Sequence, residues 1–299
     1  MTMERPVDEQ VAMHPHGVYG GPIVDAHVHF WDPGQLRYPW LCGIPALRRA
    51  FLPAEYAAAA GASAAARCVV VEGNCHPDDA AREVALLERL GREDPRIAGI
   101  VAFADLTRPG ALEGTLACLT SVPRVKGVRQ NIQGHPAGFA VQRAFVDGAR
   151  TVGRVGLTFD LCASHGQLEE TDALVAQCPD TLFVLDHCGK PPIRSGALDP
   201  WRRDIARLAA HPNVCCKLSG LLTEADAARW REEQLLPYAA YVIECFGVDR
   251  VLYGSDWPVL TLAGDYTRWH RFTALLTGAW TDDERHRFYA GNAIRVYQL

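Results

Sequence analysis

The stretch IVDAHVHFWDP, residues 23–33, opens as a buried strand and ends in a cluster of two histidines, a tryptophan, an aspartate and a proline. Strand side chains alternate between faces, so Asp25, His27 and His29 are expected to share one face, with two imidazoles converging where the strand gives out. Imidazole nitrogen is a good zinc ligand, and a His-x-His pair at a strand end suits a metal site. A solvent-facing strand carries the same short spacing by chance. The rest of the chain has to decide between these readings.

Similar apolar or β-branched runs recur along the chain: 23–30, 67–73, 97–105, 125–132, 156–162, 181–187, 213–220 and 250–257. Between most of them lie segments of helical periodicity, such as PDDAAREVALLERLGRE after the second run and HGQLEETDALVAQC after the fifth. Alternation of this kind implies parallel strands joined by helices. Eight such units within 299 residues are the count of a closed α/β barrel, the (β/α)8 TIM barrel, as a single domain over residues 21–299. The rival is an open doubly wound sheet. That fold ordinarily places a glycine-rich phosphate loop after its first strand, where this chain has HVHFWDP.

Composition narrows the function. With 48% apolar and 22% charged residues, the chain has the make-up of an ordinary globular protein with a large core. A net charge of −5 gives no basic footprint for nucleic acid. No run of 18 apolar residues free of charge occurs, which argues against a membrane span. Residues 1–20, MTMERPVDEQVAMHPHGVYG, lack an apolar signal-peptide core and read as a flexible arm. The ten cysteines are scattered singly apart from the vicinal Cys215 and Cys216, and no export signal precedes them, so reduced thiols and a cytoplasmic location are expected. The expected partner is a small molecule, with self-association left open.

In barrels of this kind the chemistry sits where the strands end. Reading the end of each run gives His27 and His29, then Glu72 with His76 in the following loop, Arg129 and Asn131, His187, Lys217 and Ser219, and finally Asp256. Each has a structural alternative. Asp256 would serve as a helix N-cap, and His187 as a satisfied core histidine. Arg129 needs an anionic or polar partner at a buried rim, either a neighbouring carboxylate or a substrate oxygen, and Lys217 poses the same choice. Glu72 and His76 suit hydrogen bonds to a hydroxylated substrate, although His76 before Pro77 also shapes a loop. Trp31, Tyr38, Trp40 and Trp257 are packing residues by type, one or two of which would wall a pocket. Asp79, Arg82, Glu83, Glu88 and Arg89 on the second helix read as a solvated outer face.

The elements HFWDP, RYPWL (37–41), GVRQN (127–131), LDHCGKPPI (185–193), NVCCKLSGL (213–221) and RVLYGSDWPV (250–259) occur in this order. Together they resemble the amidohydrolase superfamily over residues 22–299, and within it the sugar lactonase branch, with dicarboxylate lactonases further away. The resemblance implies catalytic roles for Asp256 and His187, and a metal site at His27, His29 and Asp256. Arg129, Glu72, His76, Lys217 and Trp31 would bind substrate. The chain departs from the superfamily's two-metal pattern. Where that pattern has a bridging Lys or Glu on the fourth strand and a His on the fifth, this sequence offers Arg129 with Asn131, and Asp160 with Cys162; His165 lies beyond the fifth run and out of register. At most one divalent ion is therefore expected, zinc first, and some relatives work without metal.

The resemblance implies hydrolysis of a carbohydrate-derived lactone, such as the aldonolactone L-fuconolactone, to its hydroxy acid. Water or metal-bound hydroxide would attack the carbonyl with Asp256 as general base. A zinc-dependent decarboxylase on the same scaffold, or a barrel that binds without catalysis, remains the alternative.

Overall fold

The computed structural model describes residues 19–63 and 65–299; the arm expected over residues 1–20 lies, up to residue 18, outside them. The elements run β1 Val24–Val28, α1 Pro53–Ala60, β2 Arg67–Val71, α2 Ala80–Glu93, β3 Ile97–Phe103, α3 Pro109–Thr120, β4 Val125–Arg129 and α4 Arg143–Arg154. They continue β5 Thr158–Leu161, α5 Leu168–Ala176, β6 Phe183–Leu185, α6 Trp201–Ala210, β7 Val214–Leu218, α7 Leu221–Glu224, α8 Glu232–Phe246, β8 Val251–Tyr253, α9 Tyr266–Leu276, α10 Asp282–His286 and α11 Asn292–Tyr297. Each of the apolar runs read from the sequence contains one strand. The eight strands pair in parallel in chain order, and the architecture is a single (β/α)8 barrel. No helix among the described residues is long and apolar enough to cross a membrane.

The barrel closes between β1 and the end of β8. Asp256 N donates to His27 O at 2.8 Å and His29 N donates to Trp257 O at 2.8 Å, so the seam runs through the His27–His29 pair itself. One side chain reinforces it. Asp25 Oδ1 accepts from Ser255 N at 2.8 Å and from His27 N at 3.2 Å, while its Oδ2 is held by the hydroxyls of Tyr56 on α1 and Tyr266 on α9.

That placement corrects one expectation. Asp25 turns towards the helices and does not share a face with His27 and His29, because the β1–β2 register shifts between Asp25 and Val28. An irregularity of this kind breaks the alternation of side chains and re-aims those that follow.

Inside the barrel, Val24, Ala26, Val69, Val71, Val101, Val184, Cys215 and Leu252 form an apolar plug that packs on Val296 and Tyr297 of α11. Polar groups accumulate at the opposite, C-terminal rim. A layer of buried ions lies between. Lys217 Nζ contacts Asp160 Oδ2 at 2.5 Å and Asp186 Oδ1 at 3.1 Å, and the Tyr297 hydroxyl caps Asp160 from below.

Candidate active site at the barrel rim

Short strands end in tight turns, and the turns aim the rim side chains. β6 stops at Leu185, after which His187 (φ 54°), Cys188 (φ 54°) and Lys190 (φ 48°) all take left-handed backbone; Asp256, three residues past β8, does the same at φ 61°. Non-glycine residues pay about 1–3 kcal/mol each for such conformations, which cluster where chemistry requires an unusual side-chain direction.

The imidazoles are oriented from behind. His29 Nδ1 lies 2.9 Å from the Val71 carbonyl, which can only accept, so its Nε2 presents a lone pair to the cleft. His27 Nδ1 lies 3.2 Å from Asp186 Oδ1 and 3.2 Å from Lys217 Nζ. His187 Nδ1 contacts Ser219 Oγ at 2.9 Å. The Nε2 atoms of His27 and His29 then stand 3.1 Å apart, and Asp256 Oδ1 is 3.8, 3.4 and 4.0 Å from Nε2 of His27, His29 and His187.

Burial favours the neutral form of His27, depressing its pKa well below the ordinary value despite the Asp186 carboxylate. Burial likewise lowers His187 to about 4, against the attraction of Asp256 and Asp186. At Asp256 burial pushes upward, but the three imidazoles outweigh it and hold the carboxyl below its usual range. Imidazole nitrogens around an ionised carboxylate are the donor set a divalent cation needs. Tetrahedral zinc, with bonds of about 2.0–2.2 Å, asks for donors spaced much as His27, His29 and Asp256 are. A second group, His27, Asp186 and His187, is also close enough to hold an ion, but the Lys217 ammonium already supplies the positive charge beside Asp186 and His27 Nδ1.

Above this group opens a cleft of about 130 Å³ lined by His29, Trp31, Trp40, Gly73, Asn74, Arg129, Asn131, Cys162, His187, Lys190, Asp256 and Val259. The structure thus brings His27, His29, His187 and Asp256 together and puts Arg129 and Trp31 at the cleft wall. Trp31 is fully buried there, its Nε1 donating to Leu47 O and Arg49 O. Arg129 is already engaged: Nε donates to Glu72 Oε1 at 2.7 Å, Nη2 to Glu72 O at 2.7 Å and Nη1 to Asp186 Oδ2 at 3.2 Å.

Three expected substrate contacts lie elsewhere. Glu72 is buried behind Arg129, its second oxygen taken by Asn74 N. Lys217 has 0% exposure and sits beneath the imidazoles in the ion layer, because its strand parity points it into the barrel before the rim is reached. His76 lines a separate surface cleft with Arg37 and Asp79, held there by the turn at Pro77, where its Nδ1 accepts from Asp78 N.

The outer-face reading of the second helix also needs correction. Asp79 and Glu83 are buried. Asp79 accepts a bidentate contact from Arg37, and Glu83 Oε1 accepts from Gly73 N at 3.0 Å, because the loop before Trp40 folds over the start of α2. Sequence reasoning missed Asp186 and Lys190. The dipeptide Asp-His at a strand end was the available signal for Asp186, but the turn after Leu185 breaks the alternation that reading relied on.

Residues 24–299 match the family model described as amidohydrolase. The chain belongs to this family. Among proteins similar to this amidohydrolase is an L-fucono-1,5-lactonase of Burkholderia multivorans, 33% identical over 94% of this chain and 97% of that one. A second L-fucono-1,5-lactonase, of Burkholderia ambifaria, is 31% identical over 92% and 95%. The crystal structure of an amidohydrolase from Burkholderia multivorans with bound zinc superposes with a TM-score of 0.85 at 30% identity, covering 93% of this chain and all (100%) of that one. Family, zinc-bearing relative and donor geometry together support a divalent metal in this amidohydrolase.

Proposed function

We propose that this amidohydrolase is a lactonase that opens a carbohydrate-derived lactone, of the L-fucono-1,5-lactone type, to its hydroxy acid. The observation that carries the reading is the ionised Asp256 carboxylate flanked by three imidazole Nε2 atoms at the floor of a small cleft. The names of the two similar lactonases support the substrate class.

Asp256 accepts a proton from water as that water adds to the lactone carbonyl. The tetrahedral oxyanion faces His187, whose Nδ1 lies 2.9 Å from the Ser219 hydroxyl; in the tautomer where that hydroxyl donates to Nδ1, Nε2 carries the proton and donates to the oxyanion. The ring C–O bond then breaks and the protonated Asp256 returns its proton to the leaving alkoxide, so that the net change is addition of one water. A divalent ion held by His27, His29 and Asp256, zinc by preference, would supply Lewis-acid polarisation and ease ionisation of water. No covalent step is called for. The one thiol at the cleft, Cys162, is pushed by burial up to about 11, against the pull of Arg129 and Lys190, and stays protonated.

The cleft's cations are both paired, Arg129 with Glu72 and Asp186, and Lys190 with Glu224 at 3.1 Å. An uncharged polyhydroxylated lactone suits such a lining better than a dicarboxylate. The test is a panel of aldonolactones followed by acid release, with and without chelator. Acid release from an aldonolactone supports the reading, and release of carbon dioxide from an aromatic acid with no action on any lactone overturns it.

A further inference from the structure

Most of the polar groups that line the cleft above Asp256 are already committed. His29, His187 and Asp256 form the reacting centre, and the cations Arg129 and Lys190 are paired with carboxylates. Trp31 is buried, as is the Asn131 oxygen. Asn74 differs from all of these. It is the one exposed residue of the lining. Its backbone N–H is held by Glu72 Oε2 at 2.6 Å, whereas its side-chain amide makes no hydrogen bond among the described residues.

The turn that carries Asn74 is fixed by a hydrogen bond at each of its residues. Glu72 accepts from Arg129 Nε through Oε1 and from Asn74 N through Oε2, Gly73 N donates to Glu83 Oε1 at 3.0 Å, and Gly73 O accepts from the Trp40 indole at 2.8 Å. A Cβ at Gly73 would lie 3.0 Å from the Tyr38 ring and 3.5 Å from Trp31 Cε3, so the main chain passes tight against the aromatic wall. Asn74 then takes left-handed backbone at φ 55°. Among the described residues six non-glycine side chains stand on such backbone, and four of them, Asn74, His187, Lys190 and Asp256, line this cleft. Conformations of this kind cluster where a side chain has to be aimed. Trp40 is half-buried, lies nearly perpendicular to Trp31 with centroids 5.4 Å apart, and is bonded to the residue next to Asn74. An aromatic face and a free amide therefore share one lip of the cleft.

An amide at a cleft mouth offers two donors and an acceptor oxygen, the complement of hydroxyl groups, which both donate and accept. An aromatic face carries partial negative charge and attracts the weakly positive C–H edges of a ring. A polyhydroxylated ring has both kinds of surface. We infer that Asn74 is the specificity-determining residue of this site: its amide hydrogen-bonds ring hydroxyls of the lactone while the ring's C–H face lies against Trp40. This selects hydroxylated lactones over deoxy ones. The inference rests on the lactonase reading above and names the residue that imposes its substrate class.

The experiment measures kcat and KM for L-fucono-1,5-lactone and for the unsubstituted δ-valerolactone in the wild type, Asn74→Gly and Trp40→Leu. Wild-type protein should favour the hydroxylated ring. Asn74→Gly removes the amide, suits left-handed backbone and breaks no side-chain hydrogen bond, so it should melt close to wild type, which separates recognition from folding. Its kcat/KM for the hydroxylated lactone should fall about 5- to 30-fold, as for one or two neutral hydrogen bonds, chiefly through KM, with δ-valerolactone turnover little changed. Trp40→Leu should raise KM for both rings by about 2- to 10-fold, because both have a C–H face. If both lactones are opened but the preference survives Asn74→Gly, or Asn74→Gly loses both substrates equally, the specificity assignment is wrong while lactonase activity stands. An unchanged KM for both rings in Trp40→Leu likewise overturns the placement of the ring on this lip. If wild-type protein opens neither lactone, the lactonase reading falls and this inference falls with it.

Discussion

The two sides of the cleft are held in place by different physics. On the β1–β8 side, His27, His29 and Asp256 hang on main-chain hydrogen bonds across the barrel seam, backed by the Asp25 carboxylate that ties Ser255 N to His27 N. On the β2–β7 side, Glu72, Arg129, Asp186, Lys217 and Asp160 are held by one another's charges in a buried layer. Backbone fixes ligand positions without spending the groups that face the cleft, so the seam side leaves Nε2 of His27 and His29 and the Asp256 carboxylate for chemistry. Paired ions have little left to offer a substrate, and the layer acts chiefly as a rigid bed under the imidazoles. The two sides should therefore fail differently when altered.

The largest effect is expected on the seam side. Asp256→Asn keeps the side chain's shape and every main-chain bond of the seam but removes the base, so kcat should fall by about 10²- to 10⁴-fold with a modest change in KM. A folded Asp256→Asn protein with full activity would end the proposed mechanism. On the other side, Lys217→Met removes the cation that Asp160 and Asp186 share, leaving Asp160 buried with no cation and Asp186 with Arg129 alone. Breaking a buried pair in this way costs about 3–5 kcal/mol, which should appear as a lower urea midpoint. If Lys217→Met folds with normal stability but loses activity, the bed is part of the chemistry and the contrast between the two sides collapses.

How much of this contrast could be read from the sequence follows the same division. Runs rich in Val, Ile and Leu become strands because burial demands it, and all eight contain one. His27, His29, His187 and Asp256 were legible because barrel strands end at the chemical rim. The ion layer was not. Lys217 and Glu72 look like any polar residues near a strand end, and only the packing of β2, β4 and β7 around one axis shows that they meet Asp160 and Arg129 and not the cleft. Asp25 was misplaced because an irregularity within β1 is a property of its pairing with β2, which residue alternation cannot reveal. Glu83 reads as helix surface until the loop before Trp40 is seen to cover it.

Gly220 tests the link between the two sides more gently. It sits at φ +65°, and a Cβ there would lie 2.5 Å from His187 Nδ1 and 2.7 Å from its Cγ. Gly220→Ala should push the imidazole away from Ser219 and lower kcat by about 10- to 100-fold. The left-handed backbone adds a loss of about 1–3 kcal/mol. Unchanged kcat in a soluble Gly220→Ala protein would show that the position of His187 is not critical.

The smallest effect concerns Glu83, behind the lip of the cleft on the charge-paired side. Its Oε1 accepts from Gly73 N, and the Gly73 carbonyl in turn holds the Trp40 indole at 2.8 Å. Burial, followed by the neighbouring Glu72 carboxylate, raises the Glu83 pKa to about 7. In the unfolded chain a glutamate titrates near its ordinary value, so between about pH 4.5 and pH 7 the folded state binds more protons than the unfolded one. Stability from this group is therefore complete below that window and is lost as the pH rises through it, with a slope of at most about 1.4 kcal/mol per pH unit for one proton. Glu83→Gln keeps a carbonyl oxygen for Gly73 N and cannot ionise. Urea midpoints of the variant should thus change less between pH 5 and pH 8 than those of the wild type, with the variant gaining most at the alkaline end. Parallel curves for the two proteins would show that Glu83 is already ionised when folded, and that the charge-paired side shelters an unpaired carboxylate without measurable cost.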